Sequence, residues 1–345
     1  MKTNKAPRML KVETGKLEKT YQYFPTDEFI DYHVYDSIPR LWRWMEQVLR
    51  LDIYLAYRTW RIADQYDIIW ANSEKVAIPL SFLNIKKPLV VILQFPESPL
   101  RRLLIKWSKL AKRWAGVGIV AKDVRNFVQS ELGVEPAKIF QYYAARTDLF
   151  KDNDNDCSDM DSTVILSMGV AKRDYDTLIR ALSHLPGYET EIYVSSKYGD
   201  QYKGRKTKRV ADWIRFPERI PDDELVCRYK RSRFVVVPLI PTSHSGAGVT
   251  SVFEASAAGK AVIATDTGGM SSYVLHGKTG LLVPPNDVNA MCSAIQRLWE
   301  NPELANQMGQ AGRRFVEKNY SHDEVVAGIR LFLQRLWDDV STKGS

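Results

Sequence analysis

Two kinds of hydrophobic pattern alternate along this chain. Short uninterrupted apolar runs, such as Ile68-Ile69-Trp70-Ala71, Leu89-Val90-Val91-Ile92-Leu93 and Phe234-Val235-Val236-Val237, read as strands buried on both faces. Between them lie stretches whose apolar residues return every three or four positions, the period of a helix that packs one face. In the N-terminal half this predicts one long helix over Arg40 to Ala63, packed through Leu41, Met45, Leu49, Ile53, Tyr57 and Trp60. Strands are expected at Tyr66 to Ala71, Pro88 to Gln94 and Val117 to Val120, with helices at Val76 to Leu83, Arg101 to Arg113 and Asp123 to Leu132. The C-terminal half repeats the alternation. Its strands are expected at Thr163 to Gly169, Thr190 to Val194, Phe234 to Leu239 and Ala261 to Thr265, its helices at Tyr175 to Leu182, from Thr250 to Gly259, and over Val288 to Trp299, Pro302 to Glu317 and about 322–340. Strands alternating with helices make an α/β protein with parallel sheets. Only Met1 to Tyr35 resists this reading. It is polar and aromatic, with at most one short strand at Tyr21 to Phe24, so the first βα unit is expected to be missing or irregular.

The chemistry concentrates in Ser245 to Pro285. A buried strand runs into a glycine loop at Gly246 and Gly248, and a helix follows, with Thr250 or Ser251 as its N-cap and Gly259 closing its far end. Strand, glycine turn and helix in that order leave backbone N–H groups free around Val249 at a positive helix end, which suits a phosphate. Glu254 lies about one turn further in. From there a carboxylate can accept hydrogen bonds from a pair of sugar hydroxyls, as the acidic residue of dinucleotide sites does. The same residues also fit an ordinary βαβ unit whose glycines serve only tight packing.

The series Gly248, Glu254-Ala255, Gly259-Lys260-Ala261-Val262-Ile263-Ala264-Thr265, Gly268-Gly269 and Gly277-Lys278-Thr279-Gly280-Leu281-Leu282-Val283-Pro284-Pro285 resembles the donor-site region of glycosyltransferase family 4. The likeness extends upstream to Val164 to Gly169 and Arg173 to Ile179, and downstream to about Tyr320. It implies two Rossmann-like domains facing each other across a cleft, the GT-B fold. A first, acceptor-side domain would occupy 1–158 and a nucleotide-sugar domain 159–345, with the last helix crossing back to the first. It also implies a retaining, nucleotide-sugar-dependent transferase that needs no metal or other cofactor.

Residue by residue, the resemblance places Gly169, Gly248, Val249, Thr250, Ser251 and Glu254 around a UDP- or GDP-linked sugar. The loop cations Lys172 and Arg173 fall where the family binds the diphosphate, and Arg173 is the first choice because a guanidinium grips two oxygens at once. A fixed cation there stabilises the charge that builds on the departing nucleoside diphosphate. Two positions depart from the family. Gly246 stands where its first glutamate is expected, with His244 near enough to substitute, and Gln94 stands on the acceptor side where a histidine is usual. Gln94 can hydrogen-bond a sugar hydroxyl but does not titrate.

Charge adds one further surface. Of the net +8, residues up to Ser158 contribute 25 Lys and Arg against 19 Asp and Glu, or +6. Arg101, Arg102, Lys106, Lys109, Lys112 and Arg113 concentrate it around Trp107 and Trp114, the composition of an interfacial helix on an anionic membrane. A half-buried helix with a solvated face has the same pattern. No RNP, helix-turn-helix or zinc-finger pattern accompanies the charge, so nucleic acid is not expected as a partner. The three cysteines, Cys157, Cys227 and Cys292, are scattered without metal or framework spacing, so neither a disulfide framework nor a zinc site is suggested, which fits a reducing cytoplasm. Asp152, Asp154 and Asp156 lack the glycine and terminal acid of a calcium loop and read as linker. No run approaches the ~18 apolar residues of a membrane span.

The expected function is therefore transfer of a sugar from a nucleotide donor to a glycan or lipid-linked acceptor in surface polysaccharide or glycolipid synthesis, in the cytoplasm or peripherally at the inner membrane face. The alternative is a catalytically silent nucleotide-sugar-binding or partner protein of the same fold. A dinucleotide oxidoreductase would need GxGxxG directly after a first strand, and none is present.

Overall fold

The computed structural model describes residues 8–12, 30–33, 38–83, 85–93, 99–150, 164–194, 211–217, 224–242 and 246–343. Gln94 and His244, the linker aspartates and Tyr21 to Phe24 lie outside them. The chain divides into two compact units, one of Met1–Tyr143 with Val325–Ser345 and one of Ala144–Glu324.

The first unit is built on six parallel strands in the order β2-β1-β3-β4-β5-β6: β1 Met9–Val12, β2 Ile30–His33, β3 Ile68–Ala71, β4 Leu89–Leu93, β5 Gly116–Ile119 and β6 Ile139–Gln141. Sequence reading found no strand before Tyr21, yet β1 lies inside this sheet, paired on both sides and buried. It was missed because Met9-Leu10-Lys11-Val12 is only four residues long and its third member is a lysine, which breaks the apolar run while remaining buried.

The single long helix expected from Arg40 is two, α1 Arg40–Leu49 and α2 Ile53–Ile62. Arg50 breaks it by adopting a left-handed conformation, φ 53. The face that buries also differs. Helix α1 buries no residue and leaves Leu41, Trp44 and Val48 in solvent, while α2 packs through Leu55, Ala56 and Thr59, none of them in the expected set. Trp42 holds the pair together by stacking on Tyr57 with ring centroids 5.6 Å apart. The remaining helices are α3 Glu74–Phe82, α4 Pro99–Trp107 and α5 Lys122–Asn126, the last continuing as a π turn to Glu131.

The second unit has six parallel strands in the order β12-β11-β10-β7-β8-β9: β7 Val164–Met168, β8 Thr190–Tyr193, β9 Ile214–Arg215, β10 Ser232–Val237, β11 Val262–Thr265 and β12 Gly280–Val283. From β7 the chain winds outward through β8 and β9, then returns to the other side of β7 and winds outward again through β10, β11 and β12. This is the doubly wound order, and its reversal between β7 and β10 creates a crevice at the carboxyl ends of those two strands. Its helices are α6 Tyr175–Leu182, α7 Leu225–Arg231, α8 Val249–Ala257, α9 Val288–Glu300, α10 Pro302–Tyr320 and α11 His322–Lys343. Helix α6 packs against α9, and α8 against α10. The last helix α11 starts in the second unit and belongs to the first from Val325 on.

Cys227 is disulfide-bonded and Cys292 is free. Cysteine spacing along a chain does not encode which thiols meet. Among the described residues, no helix is long and apolar enough to cross a membrane and no group of three or more His, Cys, Asp or Glu is placed to hold a metal ion.

Candidate functional site

Two loops meet at the β7/β10 reversal. After β10, the chain turns at Gly248, whose φ of 79 is open mainly to glycine, and whose missing Cβ would lie 2.8 Å from Val237 Cγ1. Gly248 thereby serves as the N-cap of α8 and, having no side chain, makes no cap hydrogen bond. The first-turn amides of α8, at Thr250 and Ser251, therefore point outward without intrahelical partners. The expectation that Thr250 or Ser251 caps the helix is corrected here: the helix begins at Val249, which places both inside the first turn.

After β7, Gly169 (φ 106) opens the second loop. Two backbone bonds zip this loop to the segment after β10, Ile240 N to Lys172 O at 3.0 Å and Asp174 N to Pro238 O at 3.1 Å, with an antiparallel bridge between Arg173 and Leu239. Tyr175 Oη donates to Gly169 O at 2.6 Å and fixes the start of the turn.

The two adjacent cations of this loop have opposite fates. Lys172 sits at the tip in a left-handed conformation, φ 59, with its side chain in solvent. Arg173, the first choice for the diphosphate, is only 7% exposed. Its Nε donates to Met168 O at 3.1 Å, Nη1 to Ala171 O at 3.0 Å and Nη2 to Ser251 Oγ at 2.9 Å. Its guanidinium fills the space where a Gly169 side chain would be, with Nη2 2.5 Å from the position of that Cβ. Burial pulls its pKa down, opposed by Tyr175, Tyr229 and Glu254. Arg173 thus ties the β7 loop to the first turn of α8, and Lys172 is the cation that faces out. Sequence order alone did not separate the two, because which of two neighbouring loop residues turns inward is set by backbone geometry.

Glu254 lies on α8 and is partly buried. Its Oε2 accepts from Tyr229 Oη at 2.7 Å. Burial raises its pKa, against lowering by the Tyr229 hydrogen bond and by the Arg146 and Arg173 cations. Tyr229 is fully buried and its phenol is pushed well above its ordinary range, first by burial and then by the Glu254 charge, so it stays a donor. Sequence reading missed Tyr229. Its only signal was a position one turn after Leu225 on the short helix α7, which hints at burial but not at a carboxylate partner.

Glycine loop, α8 amides, Glu254 and Arg173 therefore occupy one place in the second unit. The basic stretch of the first unit does not form one surface. Helix α4 ends at Trp107, and Lys109 breaks the chain direction with φ 53 before a 3-10 turn, Leu110–Arg113. Two of the eight residues expected to face a membrane are in the core: Arg101 is buried against Glu74, Nη1 to Oε1 2.6 Å, and Trp114 is 1% exposed with Nε1 donating to Ser81 Oγ at 2.9 Å. Each brings a polar partner inward with it, Glu74 and Ser81, which offsets the cost of burial. Trp107 is 85% exposed, Lys109, Lys112 and Arg113 are exposed, and Arg102 and Lys106 reach Glu131 at 3.8 and 3.3 Å.

The profile of the family described as "Glycosyl transferases group 1" matches residues 151–315, the stretch that contains every element of this site. That half of the chain belongs to the group 1 glycosyltransferases. A curated relative, the GDP-mannose-dependent alpha-(1-6)-phosphatidylinositol monomannoside mannosyltransferase of Mycolicibacterium smegmatis, is 32% identical over 166 residues, covering 46% of this chain and 43% of that protein. D-rhamnosyltransferase WbpZ of Pseudomonas aeruginosa is 36% identical over 100 residues, 28% of this chain and 25% of that protein. This chain thus spans less than half the length of either relative. Among solved structures, Anabaena HepE in complex with UDP and glucose superposes with a TM-score of 0.71 over 96% of this chain and 100% of that one, at 17% identity. Sucrose-phosphate synthase from Thermosynechococcus elongatus gives 0.69 over 88% and 81%, at 18% identity. The two Rossmann-like sheets are those of the GT-B fold.

Proposed function

We propose that this protein is a retaining glycosyltransferase that moves a sugar from a nucleotide-sugar donor to a glycan or lipid-linked acceptor. The observation that carries the reading is the first turn of α8, capped by no side chain of its N-cap glycine and tied through Ser251 to Arg173, the sequence neighbour of the exposed Lys172, with Glu254 one turn further in. The α8 amides and Lys172 take the diphosphate, and Glu254 accepts hydrogen bonds from the ribose hydroxyls. As the bond from sugar to diphosphate breaks, the charge on the leaving oxygen grows against donors already in place, which lowers the barrier without reorganisation. Tyr229 and Arg173 do not touch the donor in this reading; they hold Glu254 and the β7 loop in position.

GDP-mannose is the first donor to test, since the relative named for it shares 32% identity with the donor half, whereas the likeness to the UDP-glucose-bound HepE structure is at 16% identity. The acceptor is assigned to the first unit, with synthesis of a surface polysaccharide or glycolipid at the inner face of a membrane as its setting. Membrane contact would rest on Lys106 and Trp107 together with the exposed Leu41, Trp44 and Val48 of α1. Flotation with anionic vesicles tests it, and unchanged flotation of Trp44→Ser/Trp107→Ser would end it.

A thermal-shift titration with GDP-mannose and UDP-glucose tests the donor reading, because a ligand that binds only the folded state raises Tm. Wild type should respond and Gly248→Ala should not. A response in wild type without release of nucleoside diphosphate in any acceptor mixture would favour the silent binding protein. No response to any nucleotide sugar would reject both.

A further inference from the structure

The first unit holds a cavity of about 520 Å³ at the opposite end of its sheet from the carboxyl ends of the strands. Its walls come from the residues that precede β4, β5 and β6 and from α11. Six cations line it: Lys86, Lys87, Lys112, Arg113, Lys138 and Arg335. Only two carboxylates, Glu135 and Asp339, share the lining, and Glu135 is already met by Lys138 at 3.8 Å. Lys86, Lys87, Lys112, Arg113 and Arg335 form no ion pair among the described residues. Between the cations the surface is apolar, formed by Ile85, Pro88, Phe332, Leu336 and Val340.

The arrangement has two physical consequences. Five cations around one concavity, none ion-paired among the described residues, repel one another, and a polyvalent anion relieves that repulsion more effectively than monovalent counterions. The apolar wall is of no use to a small inorganic anion, which would leave it wet, but it can cover an organic body. The cavity size falls in the range of small-molecule sites, roughly 300–1,000 Å³. The wall is also firm. Phe332 lies where a side chain on Gly116 would be, its Cζ 2.0 Å from that Cβ position, and it stacks on Phe140 with centroids 4.6 Å apart.

We propose that this cavity is a second binding site, for a phosphate ester with an apolar body, distinct from the donor site and independent of it. The phosphate lies among Lys112, Arg113 and Arg335, and the apolar part lies along Leu336 and Val340. The ligand is either a soluble organic phosphate or the phosphorylated headgroup of a lipid.

Calorimetric titration of the full-length protein with octyl phosphate below its micellar range, inorganic pyrophosphate, and vesicles of phosphatidylcholine with or without phosphatidic acid tests this. Octyl phosphate should bind once per chain, more tightly than pyrophosphate. Lys112→Glu/Arg335→Glu should weaken it by about tenfold or more, since each cation near an anionic group is worth roughly 1 kcal/mol. Leu336→Asn should weaken octyl phosphate while leaving pyrophosphate unchanged. In every variant the Tm response to GDP-mannose should match wild type, which separates failure here from failure of the donor reading. Variant-sensitive binding of phosphatidic acid vesicles would assign the lipid source, and variant-sensitive octyl phosphate without vesicle binding the soluble one. Absence of binding to all three probes, or binding that neither variant changes, would overturn the proposal.

Discussion

At the scale of single residues, the candidate site is a division of labour between neighbours. Lys172 and Arg173 are adjacent in sequence, yet one is exposed and the other is fastened to Met168 O, Ala171 O and Ser251 Oγ. Lys172→Ala should therefore lower kcat/KM for transfer by about 10²–10³-fold, the usual loss when one preorganised charge stabiliser is removed, with Tm unchanged. Arg173→Ala should lower stability by about 2 kcal/mol or more in a denaturant titration, because it leaves buried acceptors without their donor. Tyr229 acts on pH dependence. Its hydrogen bond lowers the Glu254 pKa, against burial, which raises it. In Tyr229→Phe the carboxyl should titrate at higher pH, so donor affinity measured across pH should fall off earlier on acidification than in wild type. An acid limb that does not move would show that Glu254 does not bind the donor as a carboxylate.

At the scale of elements, two helices with similar sequence patterns behave differently. The apolar period over Arg40 to Ala63 predicts a helix correctly but not its break at Arg50 or the face it buries. Trp42 stacks on Tyr57 and lies tilted against Tyr54 at 5.5 Å, so these rings pack between α1 and α2. Helix α8 was legible because it is framed by Gly248 and Gly259, both at positive φ. At Gly309 the approach of α10 to the end of α8 is close enough to test. A Cβ there would lie 2.0 Å from Gly259 O, a backbone atom that cannot swing away. Gly309→Ala should cost about 1–3 kcal/mol in chemical denaturation, the range of overpacked cores, and displace α8 enough to weaken the donor response.

At the scale of the whole molecule, stability should depend on pH through the first unit. Asp52, between α1 and α2, is raised to about 6, mainly by burial, with Glu46 and Glu74 adding to the rise and Lys75 and Arg101 opposing it. A carboxyl with a raised folded pKa holds its proton better when folded, so its contribution is complete below about pH 4 and is lost as pH rises to about 6. Asp52→Asn should therefore flatten the decline between these values and raise stability at pH 7 by on the order of 2 kcal/mol. A steeper decline in the variant would show that the carboxylate is compensated by contacts stronger than its burial.

Sequence alone determined the α/β class, the alternation of strands and helices from Tyr66 onward apart from the edge strands β6 and β12, and the glycine turn with Glu254 behind it. Each of these is local: hydrophobic period, chain turns that demand glycine, and the spacing of one turn of helix are written in neighbouring residues. What the tertiary structure decided is non-local. Pairing on both sides made a strand of Met9–Val12, packing turned Arg173 inward and left Lys172 out, and Tyr229 reached Glu254 across 25 residues of chain. Burial buried Arg101 and Trp114 and split the basic stretch, while α11 closed a cationic cavity from segments more than 190 residues apart along the sequence, from Lys138 to Phe332. Such contacts depend on which surfaces compete for the same core, and no single stretch of sequence contains that competition.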